Sequence, residues 1–430
     1  MNHSFRAAEA LGDIERWLDG VSTRRLGNGL EVIVSPDSRS PLVATAVAYR
    51  AGTRDEAEGL GGTAHFLEHM MFKGSGRYAA GEIDRLTQSA GGMNNAFTSH
   101  DSTLYYFTFA ADRWRLALDI ESDRMAGLLL DPDEVNSERQ VIHEEISMYE
   151  GEPWDMLLQE MRAACFDRHP YGRPVLGTRA ELDAIDESAL AAFHARFYRP
   201  QHAVVVVVGD VEIEAAHGAV AEAFDLPAGA AADRPKLSAT SWTAGRLERQ
   251  QGELARLEIA LPAPAAQDAE HVPLRLLCSV LTLGRSSRLH RRLVDDEQLV
   301  LWISADVQET LDPGLVSITT ELVPGADPAR VEAEIFAALE RLRSAPPELE
   351  ELQRVRQVML SDWLFGHERL DQRAFLLGGA ATLADLGLPV RSLKRLLATR
   401  QDELLEAARR YFAPDQAAVG WSRPEGQVDG

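Results

Sequence analysis

The chain has 430 residues, more than one core usually organises, so two domains are the starting expectation. With 44 Lys and Arg against 67 Asp and Glu its net charge is −23, which repels phosphate backbones and anionic membrane surfaces and argues against nucleic acid as a partner. Its two cysteines, Cys165 and Cys278, stand alone in apolar surroundings and are read as small buried hydrophobes, neither a disulfide framework nor a metal cluster.

Residues 1–20 carry Glu9, Asp13, Glu15 and Asp19 with no apolar core, so no signal peptide is read there. A cytoplasmic setting is the expectation, and a trimmed N-terminus would leave the periplasm open. Strands are expected at 30–35 and 43–50, then a helix from Thr63 to about Phe72, a helix at 80–89, and an edge strand with its partner across 95–109. Helices follow near 112–127, 132–150, 153–165 and 181–197. The most apolar run, 203–208, is far too short to span a bilayer and reads as a buried strand. Residues 226–245, rich in Ala, Gly, Pro, Ser and Thr, read as a linker. Beyond it the pattern predicts strands near 253–261, 299–309 and 314–322, and helices near 269–283, 286–296, 328–344 and 347–365, with more helix up to Tyr411.

The segment 190–205 matches 404–419 at an offset of 214, half the chain: an amphipathic helix, an aromatic pair, a proline and then a strand. Two tandem homologous domains, 22–225 with the metal motif and 246–425 without it, explain the length. Strands and helices do not alternate strictly, so the class is α+β, each domain a mixed or antiparallel sheet covered by helices.

His65-Phe66-Leu67-Glu68-His69 is the most informative stretch. Side chains at i and i+4 on a helix are neighbours, so His65 and His69 can reach one ion with Glu68 beside them. This is the inverted zinc-hydrolase pattern His-x-x-Glu-His, and a catalytic zinc takes three protein ligands. On the helix at 132–150, Glu138 and Glu145 are two turns apart and share a face, whereas Glu144 points elsewhere.

With these two segments the chain resembles the pitrilysin-type metallopeptidases, which include mitochondrial processing peptidase and the insulin-degrading enzyme. There a glutamate ligand follows the motif on a later helix, with another glutamate seven residues before it; here Glu145 lies 76 residues after His69. The resemblance implies one Zn2+ per chain on His65, His69 and Glu145, with Glu138 orienting the site. Glu68 is the expected general base, able to take a proton from water and return it to the leaving amine. The remaining ten histidines, His100 and His143 among them, are read as structural.

Asn95-Ala96-Phe97-Thr98 matches the family's Asn-Ala-x-Thr segment, an edge strand that pairs with extended substrate, so Asn95, Ala96 and Phe97 are the expected substrate contacts. One departure is informative. Single-chain active members carry an arginine and, seven residues on, a tyrosine in the second half; here Val294 and Leu301 stand there, and neither can donate a hydrogen bond. No tyrosine follows Arg291 or Arg292 at that spacing. The resemblance therefore implies a zinc endopeptidase acting on extended or unfolded peptides in a closed chamber, as the zinc-bearing subunit of a heterodimer. Its homologous partner would lack zinc ligands and supply the Arg/Tyr pair. The alternative is a non-catalytic assembly or core subunit, against which the complete set His65, Glu68, His69 and Glu145 speaks.

Overall fold

The computed structural model describes residues 18–229 and 241–424, together with residues 12, 234 and 237. Most of the N-terminal segment on which the location was read, and the middle of the predicted linker, lie outside the described residues.

The first sheet is built from β1 (Ser22–Arg25), β2 (Glu31–Pro36), β3 (Leu42–Tyr49), β4 (Met93–Thr98), β5 (Thr103–Ala110) and β6 (Ala203–Gly209), in the order β1-β2-β6-β3-β5-β4. Every residue of β6 is buried, as a strand with no polar face requires, and it runs parallel to β2 and antiparallel to β3. The second sheet comprises β7 (Arg246–Gln250), β8 (Arg256–Pro262), β9 (Val300–Val307), β10 (Leu315–Leu322) and β11 (Ala418–Arg423), in the order β7-β11-β8-β10-β9. Its wiring repeats that of the first sheet without β1. The last strand, β11, runs parallel to β7 and antiparallel to β8, and β10 pairs with β8 and β9. The fold is therefore two tandem mixed-sheet domains with helices on their faces.

The structure adds an exchange of helices that a tandem reading does not contain. One face of the first sheet, through Ile33, Ala44, Ala46, Ala48, Val204 and Val206, buries against Ala374, Leu377 and Ala381 of the helix Leu370–Leu383, which belongs to the second half. Gly378 lets that helix approach closely, since a Cβ there would sit 3.4 Å from both Ala48 and Leu104. In return Leu157, Met161 and Cys165, from the helix Pro153–Phe166 of the first half, bury against Ala260, Leu315 and Ala418 of the second sheet. A fully buried leucine contributes roughly 1.5–3 kcal/mol, so each sheet depends on the other half for a whole covered face. Cys165 and Cys278 are both buried and unpaired. Polar contacts add to the tie: Leu311 N–H donates to Asp101 Oδ2 (3.0 Å), Asp312 N–H donates to the Tyr171 hydroxyl (3.1 Å), and Arg54 pairs with Asp312 (2.6 Å).

Some local expectations change. The helix expected at 181–197 is two, Arg179–Ala184 and Glu187–Phe197, because Asp186 breaks out to accept the Ala189 N–H as a new cap. The helix expected at 286–296 is a π-helical stretch over His290–Asp296. Ile213–Ala223 forms a helix that was not expected. Among the described residues no single helix is long and apolar enough to cross a membrane.

Candidate metal centre

The helix Thr63–Met70 carries the motif. It starts at Gly62, whose φ of +90° is a left-handed conformation that glycine alone adopts freely, with the Leu176 carbonyl oxygen 2.3 Å from where a Cβ would stand. Gly62 offers no capping side chain, so Glu56 does the capping from a distance, accepting the N–H groups of Ala64 (2.8 Å) and Gly62 (3.1 Å). Ala64, Phe66, Leu67 and Met70 bury into the core of the first half, and this fixes the face on which His65, Glu68 and His69 lie. The helix Pro132–Gly151 packs against it, begun by Pro132 at its first turn and by Asp131 accepting the N–H groups of Asp133 and Glu134. Val135, Ile142 and Ile146 anchor its buried side.

This packing brings His65 and His69 together with Glu145. Their ligand atoms all lie within 4.8 Å of one another, and each histidine Nε2 is 3.7 Å from Glu145 Oε2. That separation is too long for a hydrogen bond. It is close to the roughly 3.4 Å between two donors placed tetrahedrally about 2.1 Å from one zinc ion. The chemistry of the set, two imidazoles and a carboxylate, is the His₂Glu combination that suits zinc. Glu138 accepts from His69 Nδ1 at 2.8 Å, so that Nε2 keeps its lone pair for a metal, and Lys73 pairs with the other Glu138 oxygen at 2.5 Å. The Nδ1 of His65 is buried without a hydrogen-bond partner, and its Nε2 is the atom facing Glu145. Glu68 accepts the Thr98 hydroxyl at 2.5 Å.

These groups open on a cavity of about 690 Å³ whose wall includes Ala96, Phe97, Thr98, Tyr149 and Arg162. β4 pairs with β5 on one side only, so its outer edge is unpaired within the sheet and borders the cavity. Ala96 and Phe97 are in the wall; Asn95 is exposed on the same strand, its side-chain oxygen accepting the Ala96 N–H. The wall residues all come from the first half. Val294 packs instead against the core of the second half, and Leu301 is 49% exposed on β9.

Comparison with known proteins now decides the family. Residues 32–179 match the model of Insulinase (Peptidase family M16), and residues 184–359 match that of the Peptidase M16 inactive domain. The chain belongs to peptidase family M16. It is 32% identical to an uncharacterised zinc protease of Mycobacterium leprae over 329 residues, 74% of either chain. The crystal structure of a protease from Helicobacter pylori superposes with a TM-score of 0.88 at 25% identity, covering 94% of this chain and 99% of the other. A probable beta subunit of the mitochondrial processing peptidase of Arabidopsis thaliana is 31% identical over 189 residues, 44% of this chain and 36% of that one.

The electrostatics of this M16 chain set the two histidines apart. Burial, and then the charge of His69, push the His65 pKa down to about 3, so the imidazole is neutral at physiological pH. Burial opposes the protonation of His69, but the Glu138 hydrogen bond and the nearby carboxylates prevail and raise it. Burial alone would raise Glu138, yet the hydrogen bonds from His69 and Lys73 hold it below the usual range. Glu68 is raised, chiefly by burial, which brings a carboxylate nearer the basicity that proton transfer at neutral pH requires. Thr98 and Lys73 were not singled out by the sequence reading. The match of Thr98 to the Asn-Ala-x-Thr segment was a signal for the first, and the i+4 spacing of Lys73 from His69 one for the second.

Proposed function

We propose that the chain is a zinc endopeptidase acting on extended peptides, and that it works as the zinc-bearing member of a heterodimer that closes a chamber over its substrate. The observation that carries the first part is the convergence of His65, His69 and Glu145 beside Glu68 in a cavity bordered by the free edge of β4. In this reading His65, His69 and Glu145 hold the ion, and Glu138 fixes the His69 ring. When bound, zinc supplies Lewis acidity and makes water more acidic. Glu68 Oε1 and Oε2 hold the proton taken from the attacking water and pass it to the leaving nitrogen, while Thr98 keeps that carboxylate turned to the cavity. Asn95, Ala96 and Phe97 offer backbone N–H and C=O groups to an extended peptide, a mode that orders unfolded chains with little regard to sequence.

The heterodimer rests on what the cavity wall lacks. With Val294 and Leu301 away from it, the second half brings no Arg/Tyr pair to a developing oxyanion, and loss of one such donor costs about 2.7–4 kcal/mol in other hydrolases. A homologous chain without zinc ligands but with that pair would supply it. The test is cleavage of an unstructured peptide by this chain alone, by such a homologue alone, and by an equimolar mixture. The expected result is roughly 10²–10³-fold more turnover in the mixture. Full turnover by this chain alone would overturn the heterodimer, and no turnover by the zinc-loaded mixture would overturn the peptidase reading.

A further inference from the structure

Five nitrogen-bearing side chains in the wall of the metal cavity, His100, Gln159, Arg162, Arg173 and Arg179, have no part in the chemistry above, and of the three arginines Arg179 is already paired with Glu150 at 2.6 Å. Arg162 projects from the helix Pro153–Phe166, which is held rigidly because Leu157, Met161 and Cys165 are buried under the second sheet. Its guanidinium donates one hydrogen bond, from Nη1 to Gln308 Oε1 at 3.1 Å, and among the described residues it makes no ion pair. Burial works against its charge, and the acid that most favours that charge, Glu258, is itself buried, accepts the Ser317 hydroxyl at 2.6 Å and is pushed up to about 7. Arg162 is felt across the cavity wall: His100, whose Nδ1 meets the Thr53 hydroxyl at 2.7 Å, is driven down to about 3 by burial and then by the Arg162 charge. Arg173 enters the same wall just after the turn Pro170–Gly172, and no ion pair holds its side chain among the described residues.

A half-desolvated guanidinium facing an open cavity is costly unless an anion completes it, and its planar fork matches a carboxylate with two parallel hydrogen bonds. The same wall also carries the carboxylates Glu68, Glu145, Glu150 and Asp155, so negative charge is favoured only at the stretch where Arg162 and Arg173 stand. We propose that Arg162, supported by Arg173, is a carboxylate subsite of the substrate cavity, so that peptides carrying a carboxylate there bind in preference to neutral ones. The proposal rests on the peptidase reading, because it takes the cavity's occupant to be a peptide. The carboxylate is either the peptide's C-terminus or an acidic side chain.

The experiment uses one unstructured fluorescent peptide in four forms: free or amidated at its C-terminus, and with glutamates or glutamines along its length. Binding to the full chain is measured by anisotropy with a chelator present, so that neither hydrolysis nor a metal's own affinity for carboxylates contributes. At least one carboxylate form is expected to bind about 10-fold or more tighter than its neutral counterpart, and the arm that discriminates identifies the source. Arg162→Gln should abolish the discrimination and Arg162→Lys keep part of it; Arg173→Gln, a change at a half-buried position, should reduce it a few-fold. Equal binding of charged and neutral forms by the unaltered chain would overturn the subsite while leaving the peptidase reading intact, as would discrimination that survives both Arg162→Gln and Arg173→Gln. Failure to bind any of the four would overturn the subsite, whereas the peptidase reading stands or falls on turnover by the zinc-loaded mixture.

Discussion

In the first half, the helix between β3 and β4 that carries the motif presents His65, Glu68 and His69 to the helix Pro132–Gly151, which answers with Glu138 and Glu145. In the second half, the corresponding helix between β8 and β9, His271–Thr282, is buried through Val272, Leu274, Leu276, Leu277, Cys278 and Leu281. It packs on Leu349–Gly366, where Arg356-Gln357-Val358 repeats Arg139-Gln140-Val141. That register sets Val355, a core residue, against Glu138, and Asp362 against Glu145. Asp362 lines a cavity of about 490 Å³ with His271, Arg275, Trp363 and Phe375. The architecture thus keeps a cavity at both places. Among the described residues only the first gathers three metal-binding side chains. The comparison teaches that neither the sheet nor the crossing helices need the metal residues in order to form: apolar side chains hold the same arrangement in the second half.

The comparison breaks first where the halves depend on each other. Leu377→Ala in the second half and Leu157→Ala in the first remove fully buried side chains from the exchanged helices, and each should cost about 2–5 kcal/mol. Because each helix covers the other half's sheet, both variants should lower a single unfolding transition seen by calorimetry. Two separate transitions, with Leu377→Ala affecting only one of them, would show that the halves fold independently.

Next in size is Glu68→Gln, which preserves shape and removes basicity. Turnover should fall by ~10²-fold or more with metal content unchanged, whereas Asp362→Asn in the counterpart cavity should leave both as they were. Equal losses from the two substitutions would mean that the second cavity is not the inert copy its residues suggest. Glu138→Gln follows: it weakens the hydrogen bond that sets the His69 tautomer, and metal affinity, read by competition with a chromophoric chelator, should drop ~10–100-fold. Glu145→Gln should drop it further, since it removes a ligand rather than the ligand's support.

Much of this was legible in the sequence because it is periodic or local. The i, i+4 histidines, the paired glutamates two turns apart and the repeat at an offset of 214 are all patterns along the chain. The exchange of helices was not legible, since the apolar stripes of 153–166 and 370–383 say that each helix is buried without saying against which sheet. The strands β1 and β7, Ser-Thr-Arg-Arg and Arg-Leu-Glu-Arg-Gln, are polar edge strands that exist only because a neighbour supplies hydrogen bonds. Arg162 was missed for a related reason: its place in the cavity wall follows from how its helix is wedged between the two halves, a tertiary fact.

The smallest effect separates two buried carboxylates, one from each half. Glu138 is held low because His69 and Lys73 meet it with hydrogen bonds that outweigh its burial. Glu258, on β8, is more deeply buried and has only the Ser317 hydroxyl and the field of Arg162 to offset the loss of water, and burial pushes it up to about 7. A carboxyl whose pKa rises on folding binds its proton more tightly in the folded state. Its contribution to stability is complete below the unfolded value near 4.5 and is lost as pH climbs through about 7. The full shift would correspond to about 3 kcal/mol, and relaxation with water entry should leave roughly 1–2 kcal/mol. Glu258→Gln mimics the protonated form, so urea unfolding of the variant should lack the decline that the unaltered chain shows between pH 5 and 8, and the two should differ most at the alkaline end. An unchanged decline would place its source elsewhere. A variant that matches the unaltered chain at acid pH but is less stable at the alkaline end would mean that Glu258 is ionised and pairs with Arg162, which would also remove the open guanidinium on which the carboxylate subsite depends.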